Sequence, residues 1–584
     1  LIKISQSRHK RAGYKFGIRI PRNTAEAIAI DKEDNTRDWY NAIMKEMESV
    51  RVAFKIQEHG TQAPPGFKKI PLTMIYDIKM DFTKKARLVA GGHRTDPPTS
   101  MTYSSVVTRE SVRIAFTIAA LNDLDVIMSD VGNAYLNAKT SEKVYCIAGI
   151  EFGDKDVGKI CVIVRALYGL KSSGAAWRAH FANDLRDMGF QSTLADPDVW
   201  IRPATKSNGF EYYEYILVYV DDQLTISEHA REITQQLVTD YKYRLKDVGP
   251  PTKYLGAKVG VHALDNGSKA WYMSAEEYLK NAIPEIEKKF GNIVNLFGKS
   301  ALDTPAPTDF HPELDQSDLL DEDNVWLYQS YIGILRWATE LGRVELTHSA
   351  ATMAKFGATP REGHLRALLR IFAYCKKHIT SMIVFDSTPK DFEGIIWDSV
   401  DWSEFYPDAV KLGEAIPLNA PTPRGNPVQL NMFCDASHAT DLVTRRSTTG
   451  ILFFMNGAPI KWYSKRQNTI ESSTFGSEFV ALKIAVEMND GLRYKIRMFG
   501  IPLDGPTNGF CDNESVVRNA TIPESTLQKK HNSIAYHKCR ESVAQGALRI
   551  KHERGKFNCS DILTKFLPAP AHYQCSRCIM YNRR

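Results

Sequence analysis

Apolar residues around Trp39–Val50 recur with the period of an amphipathic helix, and the pattern breaks at Pro64-Pro65. Strand-like segments follow at Ile70–Met80 and Lys85–Ala90, then a helix near Ser111–Leu121. Leu124–Asp130 reads as a short strand, Ser172–Met188 as a helix and residues 212–227 as a hairpin. A second strand pair, Tyr254–Val261 with Lys269–Met273, leads into residues 275–300. Helices are predicted around Trp326–Leu341 and His364–Lys377, and a Pro- and Gly-containing loop at Asn419–Asn426 marks a boundary. Strands Gln429–Asp435, Gly450–Met455 and Pro459–Ser464 come next, followed by a helix carrying Glu478. Strand Gly509–Cys511, a helix at about His531–Ala544, strand Ala547–Lys551 and a helix starting near Asp561 complete the series. No internal repeat is visible.

The chain has 584 residues, too many for one core, so several domains are expected. No apolar run approaches the roughly 20 residues of a membrane-spanning helix, and no membrane partner is expected. The first residues, Leu-Ile-Lys-Ile-Ser, lack Met and a signal pattern, as in an excised or processed fragment. A net charge of +7 does not by itself point to nucleic acid, but charge is unevenly placed. Residues 1–22 carry seven Lys/Arg and no acid, which suits either a phosphate-binding arm or a solvated leader. Residues 309–324 carry seven acids and no Lys/Arg and read as a surface linker. The nine cysteines are scattered, as in a reducing compartment. Cys575 and Cys578, with His572 before them, lack the second ligand pair of a closed zinc site and read as an incidental pair.

Within the 212–227 hairpin stands Tyr219-Val220-Asp221-Asp222, flanked by apolar and aromatic residues. Two readings are open: a tight turn that uses Asp for local hydrogen bonding, or adjacent carboxylates holding a divalent cation. Asp130, at the end of its own apolar strand, adds a third carboxylate and favours the metal. Three such groups suit two Mg²⁺ about 3.5–4 Å apart, which activate an attacking hydroxyl and stabilise the leaving group.

An ordered set of motifs surrounds these acids. They are KKARLVAGGH at Lys84–His93, SDVGNAYLNA at Ser129–Ala138, LYGLKSSGAAW at Leu167–Trp177, YVDD at 219–222 and YLGAKV at Tyr254–Val259. CDAS, STTG, SKRQ, GSEF, CDN and SDILTK follow between Cys434 and Lys565. Over about residues 36 to 567 the chain resembles the reverse transcriptase–ribonuclease H part of copia-type (Pseudoviridae) LTR retrotransposon polyproteins.

The resemblance implies a multidomain α+β and α/β fold: a right-hand polymerase with fingers, palm and thumb, a connection region and a C-terminal ribonuclease H-like domain. It divides the chain into a basic leader (1–35), reverse transcriptase (36–300), linker and connection (301–427), ribonuclease H (428–567) and a tail (568–584). It implies RNA-directed DNA polymerase activity with degradation of the RNA of the hybrid. The cofactor would be Mg²⁺, two per active site, with Mn²⁺ as an alternative. Expected partners are an RNA template, a DNA primer, RNA–DNA hybrid and deoxynucleoside triphosphates. A dimer is an open state, and a longer polyprotein with upstream integrase and protease is implied. The expected location is a cytoplasmic virus-like particle, with the nucleus as an alternative.

By the same resemblance, Asp130, Asp221 and Asp222 are the polymerase metal ligands. Tyr135 lies under the sugar of the incoming nucleotide and selects against a 2′-hydroxyl. Lys85 and Arg87 face the triphosphate, and the bland alternative for either one is a solvated edge. Gly169 and Lys171 mark a turn that approaches template base or nucleotide. The commoner family form has Gln-Ala-Pro where this chain has Ser172-Ser173-Gly174, which leaves the turn less fixed in φ. Leu255 and Gly256 match the hairpin that grips the primer end. Asp435, Glu478, Asp512 and Asp561 are the nuclease carboxylates and metal ligands, although Glu478 stands in FGSEF rather than the commoner TEAE. His552 assists proton transfer or product release, or is a surface histidine; His531, His537 and Arg540 are candidates to touch the hybrid backbone. The competing reading is a decayed or domesticated RNA-binding scaffold, against which all seven carboxylates are retained.

Overall fold

The computed structural model describes residues 13–15, 18–78, 83–97, 101–298, 300–392, 394–527, 530–555 and 558–582. At its centre is an antiparallel six-stranded sheet in the order Gln191–Ser192, Val199–Thr205, Glu211–Tyr219, Asp222–Ser227, Asp125–Val131, Leu245–Gly249. Glu211–Tyr219 and Asp222–Ser227 are nearly wholly buried and read as the aromatic and β-branched run that a covered strand needs. Helix Ser173–Asp187 packs on one face through Trp177, Phe181 and Leu185. Helix Arg109–Leu121 packs on the other, with a second core cluster that continues without a break into the C-terminal half.

The N-terminal part has its own core, built by helix Asp38–Val50, the two-stranded Leu72–Ile78/Lys84–Ala90 ribbon and a small four-stranded sheet. Trp39, Ile43, Met47 and Val50 form the buried stripe of the helix, as the period predicts. Residues 1–12 of the basic leader lie outside the described residues, while Thr24–Glu33 is a helix. Arg19 and Arg22 are paired with Glu26, at 2.7 and 2.8 Å, so these two cations of the proposed phosphate arm are engaged internally.

The middle and end of the chain carry contacts that composition does not show. The acidic stretch 309–324 is folded against its neighbours: Glu313 accepts from the Leu442 amide at 3.0 Å, Phe310 lies edge-on to Phe566, and Asp321 caps helix Glu322–Glu340. The final residues are not a loose tail, because helix Ala569–Ile579 and strand Tyr581–Asn582 close a five-stranded sheet. That sheet runs Lys253–Tyr254, Ala257–Ala263, Lys269–Ser274, Ser381–Val384, Tyr581–Asn582 and so joins three regions that sequence divided. The predicted helix at Asp561 is instead a short 3₁₀ turn, Cys559–Leu563. Among the nine cysteines, all free, Cys575 is buried and Cys578 exposed.

The C-terminal mixed sheet has the order Ala458–Arg466, Thr448–Met455, Leu430–Ser437, Thr507–Cys511, Leu548–His552. The first three strands are antiparallel and the last two run parallel to Leu430–Ser437. The 25-residue helix Thr474–Met498 packs on it. This unit docks on the central one through Arg113, which donates to the Ile460 carbonyl at 3.2 Å, and Tyr215, which donates to the Phe499 carbonyl at 3.0 Å. Glu110 adds ion pairs with Lys461 and Lys495, at 2.8 and 2.7 Å.

Candidate active sites

The first site is built on the central sheet. Tyr219 pairs with Asp222, leaving Val220 and Asp221 as a two-residue loop, and Asp222 in turn lies directly opposite Asp130. Opposed residues of an antiparallel ladder share a face with Cβ atoms about 4.5–5.5 Å apart, so two like charges are forced together there. Val220 adopts φ +60°, a conformation that costs a β-branched residue about 1–3 kcal/mol. Both loop carbonyls are fixed from outside: the Trp177 indole donates to Val220 O at 2.7 Å, and the Val131 amide to Asp221 O at 2.8 Å. Burial raises the Asp222 carboxyl to about 6, assisted by Asp221 and Asp130. Asp130 is raised as well, by burial and by Asp221, against the opposing pull of Lys246 and Lys85.

Tyr135 sits on the short helix Ala134–Asn137, reached through Asn133 in the left-handed region. Its ring lies 4.9 Å from that of Tyr168, and the Arg87 guanidinium is 5.4 Å from the Tyr168 ring centre. Lys85 and Arg87, two apart on strand Lys84–Ala90, share a face above this aromatic pair. Leu255 and Gly256 form the turn between Lys253–Tyr254 and Ala257–Ala263, both with positive φ, as a two-residue hairpin requires.

Two predicted nucleotide contacts have partners within the chain itself. Gly169 has φ +92°, and a Cβ there would lie 2.1 Å from the Ala90 carbonyl oxygen. The close approach that demands glycine is therefore to the chain's own strand. Lys171 donates to the Thr95 carbonyl and ties two loops together. The departure at Ser172-Ser173-Gly174 has its own compensation. Ser172 donates from amide and hydroxyl to Glu142, at 2.9 and 2.7 Å, and Ser173 donates to the Leu167 carbonyl at 2.7 Å. Trp177 and Glu142 were not foreseen; their partners are backbone atoms and serines distant in sequence, which leave no local motif.

The second site lies at one end of the C-terminal sheet. Asp435 stands near the end of Leu430–Ser437, Asp512 follows Thr507–Cys511, Glu478 is on the first turns of Thr474–Met498 and Asp561 is in the 3₁₀ turn. Asp435 pairs with Gly450, where a Cβ would lie 2.5 Å from Thr564 Cγ2 and 2.9 Å from the Ser560 carbonyl. Only glycine lets the turn carrying Asp561 settle against Asp435. Ligand atoms of Asp435, Asp512 and Asp561 all fall within 4.8 Å of one another, as do those of Glu478, Cys511 and Asp512. Glu478 accepts from the Ala436 amide at 3.0 Å, which holds it beside Asp435.

Burial, then Asp435, raises Glu478 to about 11 and Asp561 to about 7; Asp512 is raised by the same two causes. So concentrated a set of hard oxygen donors has the chemistry to hold divalent cations. Lys565, unforeseen, lies 3.3 Å from Asp435 and 3.0 Å from Asp561 and supplies part of the countercharge. His552 is exposed at the end of the last strand and donates from Nε2 to the Asp512 carbonyl at 3.1 Å. Arg540, expected on the hybrid, is buried and donates to the Asn519, Ile522 and Pro523 carbonyls. His537 is engaged by the Tyr406 hydroxyl at 2.7 Å, and the His531 side chain lies outside the described residues.

Residues 59–292, which hold the whole first site, match the family model described as reverse transcriptase (RNA-dependent DNA polymerase). This region is similar to reverse transcriptases. Beyond it, the chain is 24% identical over 556 residues to the retrovirus-related Pol polyprotein from transposon TNT 1-94 of Nicotiana tabacum, covering 92% of this chain and 37% of the relative. It is 26% identical over 497 residues to the Pol polyprotein from transposon RE1 of Arabidopsis thaliana, covering 83% of this chain and 30% of the relative. The chain thus spans about a third of the length of these curated relatives. Among solved structures, foamy viral protease–reverse transcriptase in complex with RNA/DNA hybrid aligns over 95% of this chain and 78% of its own, at 11% identity and a TM-score of 0.29. The Asp130–Asp221–Asp222 centre lies inside the stretch matched by the family model, and the Asp435–Glu478–Asp512–Asp561 centre lies beyond it.

Proposed function

We propose that the chain is an RNA-directed DNA polymerase that also degrades the RNA strand of the hybrid it makes. The observation that carries this reading is the presence of two carboxylate centres on one framework, Asp130–Asp221–Asp222 and Asp435–Glu478–Asp512–Asp561. In this reading the central sheet is the palm, the ribbon bearing Lys85 and Arg87 belongs to the fingers, and helix Glu276–Phe290 is the thumb. Residues 301–427 form the connection region.

Each carboxylate set would hold Mg²⁺, whose chemistry is activation of a hydroxyl or water and neutralisation of charge on the departing oxygen. The chain's own side chains do the positioning. Tyr135 offers a flat ring beneath the sugar, and its bulk disfavours a 2′-hydroxyl. Lys85 and Arg87 supply countercharge to the triphosphate, Arg by planar paired donors. The Leu255–Gly256 turn sets the primer end. In the nuclease, Asp561 and Glu478 take up a proton when no cation is bound, and His552 stands one residue contact from Asp512 to receive or release one.

A groove of about 910 Å³ supports the coupling of the two activities. Its lining includes Trp337, whose indole lies 3.4 Å from a Cβ placed on Gly256, and Lys355 and Thr448. Lys355 and Thr448 also line the cavity that contains Lys565. Arg336, Arg446, Lys465 and Arg466 line it with Glu340, and Arg466 is paired with Asp441 at 3.1 Å; the remaining excess of positive charge suits a sugar–phosphate backbone. The nuclease half is tested on a labelled RNA–DNA hybrid: wild type should release short RNA fragments, and Asp512→Asn should not. Cleavage that survives Asp512→Asn would overturn the assignment.

A further inference from the structure

Six of the nine cysteines stand as three hydrogen-bonded thiol pairs: Cys146 with Cys161, Cys434 with Cys511, and Cys559 with Cys578. The first two pairs are ladder partners on neighbouring strands, and both members of each are buried. The third joins two elements outside the sheets. Cys559 opens the 3₁₀ turn that carries Asp561, and Cys578 lies on helix Ala569–Ile579. Cys559 is buried, whereas Cys578 is exposed. The bond with Cys559 lowers the Cys578 thiol below its ordinary range, and Lys390 and Arg577 add positive charge beside it. An exposed thiol in an electropositive setting, backed by a second sulfur, is where oxidation begins.

We infer that Cys559 and Cys578 form a peroxide-sensitive dithiol whose closure withdraws Asp561 from the nuclease centre. This rests on the nuclease reading above. The Cys578 thiolate attacks hydrogen peroxide: an S–O bond forms, the O–O bond breaks, and the departing hydroxide takes up the Cys578 proton as water. The Cys559 sulfur then displaces hydroxide from the Cys578 sulfenic acid, forming the S–S bond, and its own proton completes a second water. Two electrons pass from the sulfur pair to the peroxide. The bond draws the sulfurs from thiol contact to about 2.0 Å, a closure of more than an ångström. The helix is held from behind, because strand Tyr581–Asn582 directly after it pairs with Met382 and Ser381. The displacement therefore falls on the five-residue turn. That turn is seated tightly: the Ser464 hydroxyl donates to the Leu563 carbonyl at 2.6 Å, and Gly450 leaves no spare room beneath it. Misplacing a catalytic group by about 1 Å costs on the order of 100-fold in rate.

The test treats the full chain with hydrogen peroxide, then maps disulfides by mass spectrometry and measures cleavage of a labelled RNA–DNA hybrid with Mg²⁺. Wild type should gain a Cys559–Cys578 link and lose at least about 10-fold in cleavage, with primer extension within about twofold and full recovery in dithiothreitol. Cys578→Ser and, separately, Cys559→Ser should form no such link, and Cys578→Ser should keep its cleavage in peroxide. Absence of the link in oxidised wild type overturns the inference, and so does a link that leaves cleavage unchanged. An equal loss in Cys578→Ser overturns it too, and would assign the effect to Cys434 and Cys511. Reduced wild type that cleaves no hybrid sinks the nuclease reading itself, and the control of it, whether or not the link forms.

Discussion

The Trp177 indole donates to the Val220 carbonyl at 2.7 Å, joining the helix behind the central sheet to the most strained residue of the polymerase turn. The bond holds Val220 at φ +60° and thereby sets the direction in which Asp221 leaves the turn. Trp177→Phe keeps the ring in its cluster with Phe181 and Tyr243 and removes only the donor. Stability should fall by about 1 kcal/mol. Primer extension should fall much further, through kcat, with hybrid cleavage unchanged. Equal losses in both activities would contradict a local role.

Gly450 should be the most sensitive non-acidic position of the nuclease. Its Cβ would meet Thr564, Leu563 and the Ser560 carbonyl, all on the turn that carries Asp561. Gly450→Ala should displace that turn, weaken Mn²⁺ binding measured by calorimetry and abolish RNA cleavage, leaving primer extension near wild type. Retained Mn²⁺ binding would show that the turn can yield.

The carboxylates fix a pH dependence. Asp561 is raised to about 7, chiefly by burial and then by Asp435, and Asp222 to about 6, by burial and then Asp221. A carboxyl raised on folding stabilises the fold fully below its unfolded value, near 4, and loses that contribution as pH climbs through the folded value. In EDTA the melting temperature should therefore drop between about pH 4 and pH 7. Mg²⁺ binds the ionised forms and should flatten that fall. Asp561→Asn should remove the upper part of it even in EDTA; an unaltered slope in this variant would refute the assignment.

The two displaced contacts make opposite predictions from those of a ligand site. Lys171→Met should lower the melting temperature, since it frees the Thr95 carbonyl, yet leave the KM for nucleotide unchanged. Arg540→Met should be destabilising, at about 1–3 kcal/mol for each buried carbonyl it strands. Any folded Arg540 variant should keep the salt dependence of hybrid binding, because the guanidinium is buried beneath Trp402 and Tyr536.

The elements that carry Asp130, Asp435 and Asp512 were legible because each of these acids stands at or near the end of an apolar strand run, and the Asp221–Asp222 pair falls on a hairpin. The amphipathic helix Asp38–Val50 was legible for the same reason. What sequence misread depended on partners far along the chain. Gly169 signals close approach but not to what, and the approaching atom is the Ala90 carbonyl. The acidic stretch 309–324 looks solvated by composition, yet Phe310 and Glu313 anchor it on Phe566 and Leu442, more than a hundred residues away. The 3₁₀ turn at Asp561 replaces a helix because Asn558 spends its side chain on the Cys434 carbonyl and the Ser560 amide, at 2.9 and 3.2 Å. Lys565 escaped notice because a lysine in an ordinary polar context has no pattern of its own.

Primer extension on poly(rA)/oligo(dT) with Mg²⁺ tests the central claim most directly, run beside duplex binding for wild type and Asp221→Asn. The account predicts that wild type extends the primer, and that Asp221→Asn binds the duplex as tightly but adds no nucleotide. Wild-type protein that binds the duplex and leaves the primer unextended would contradict it.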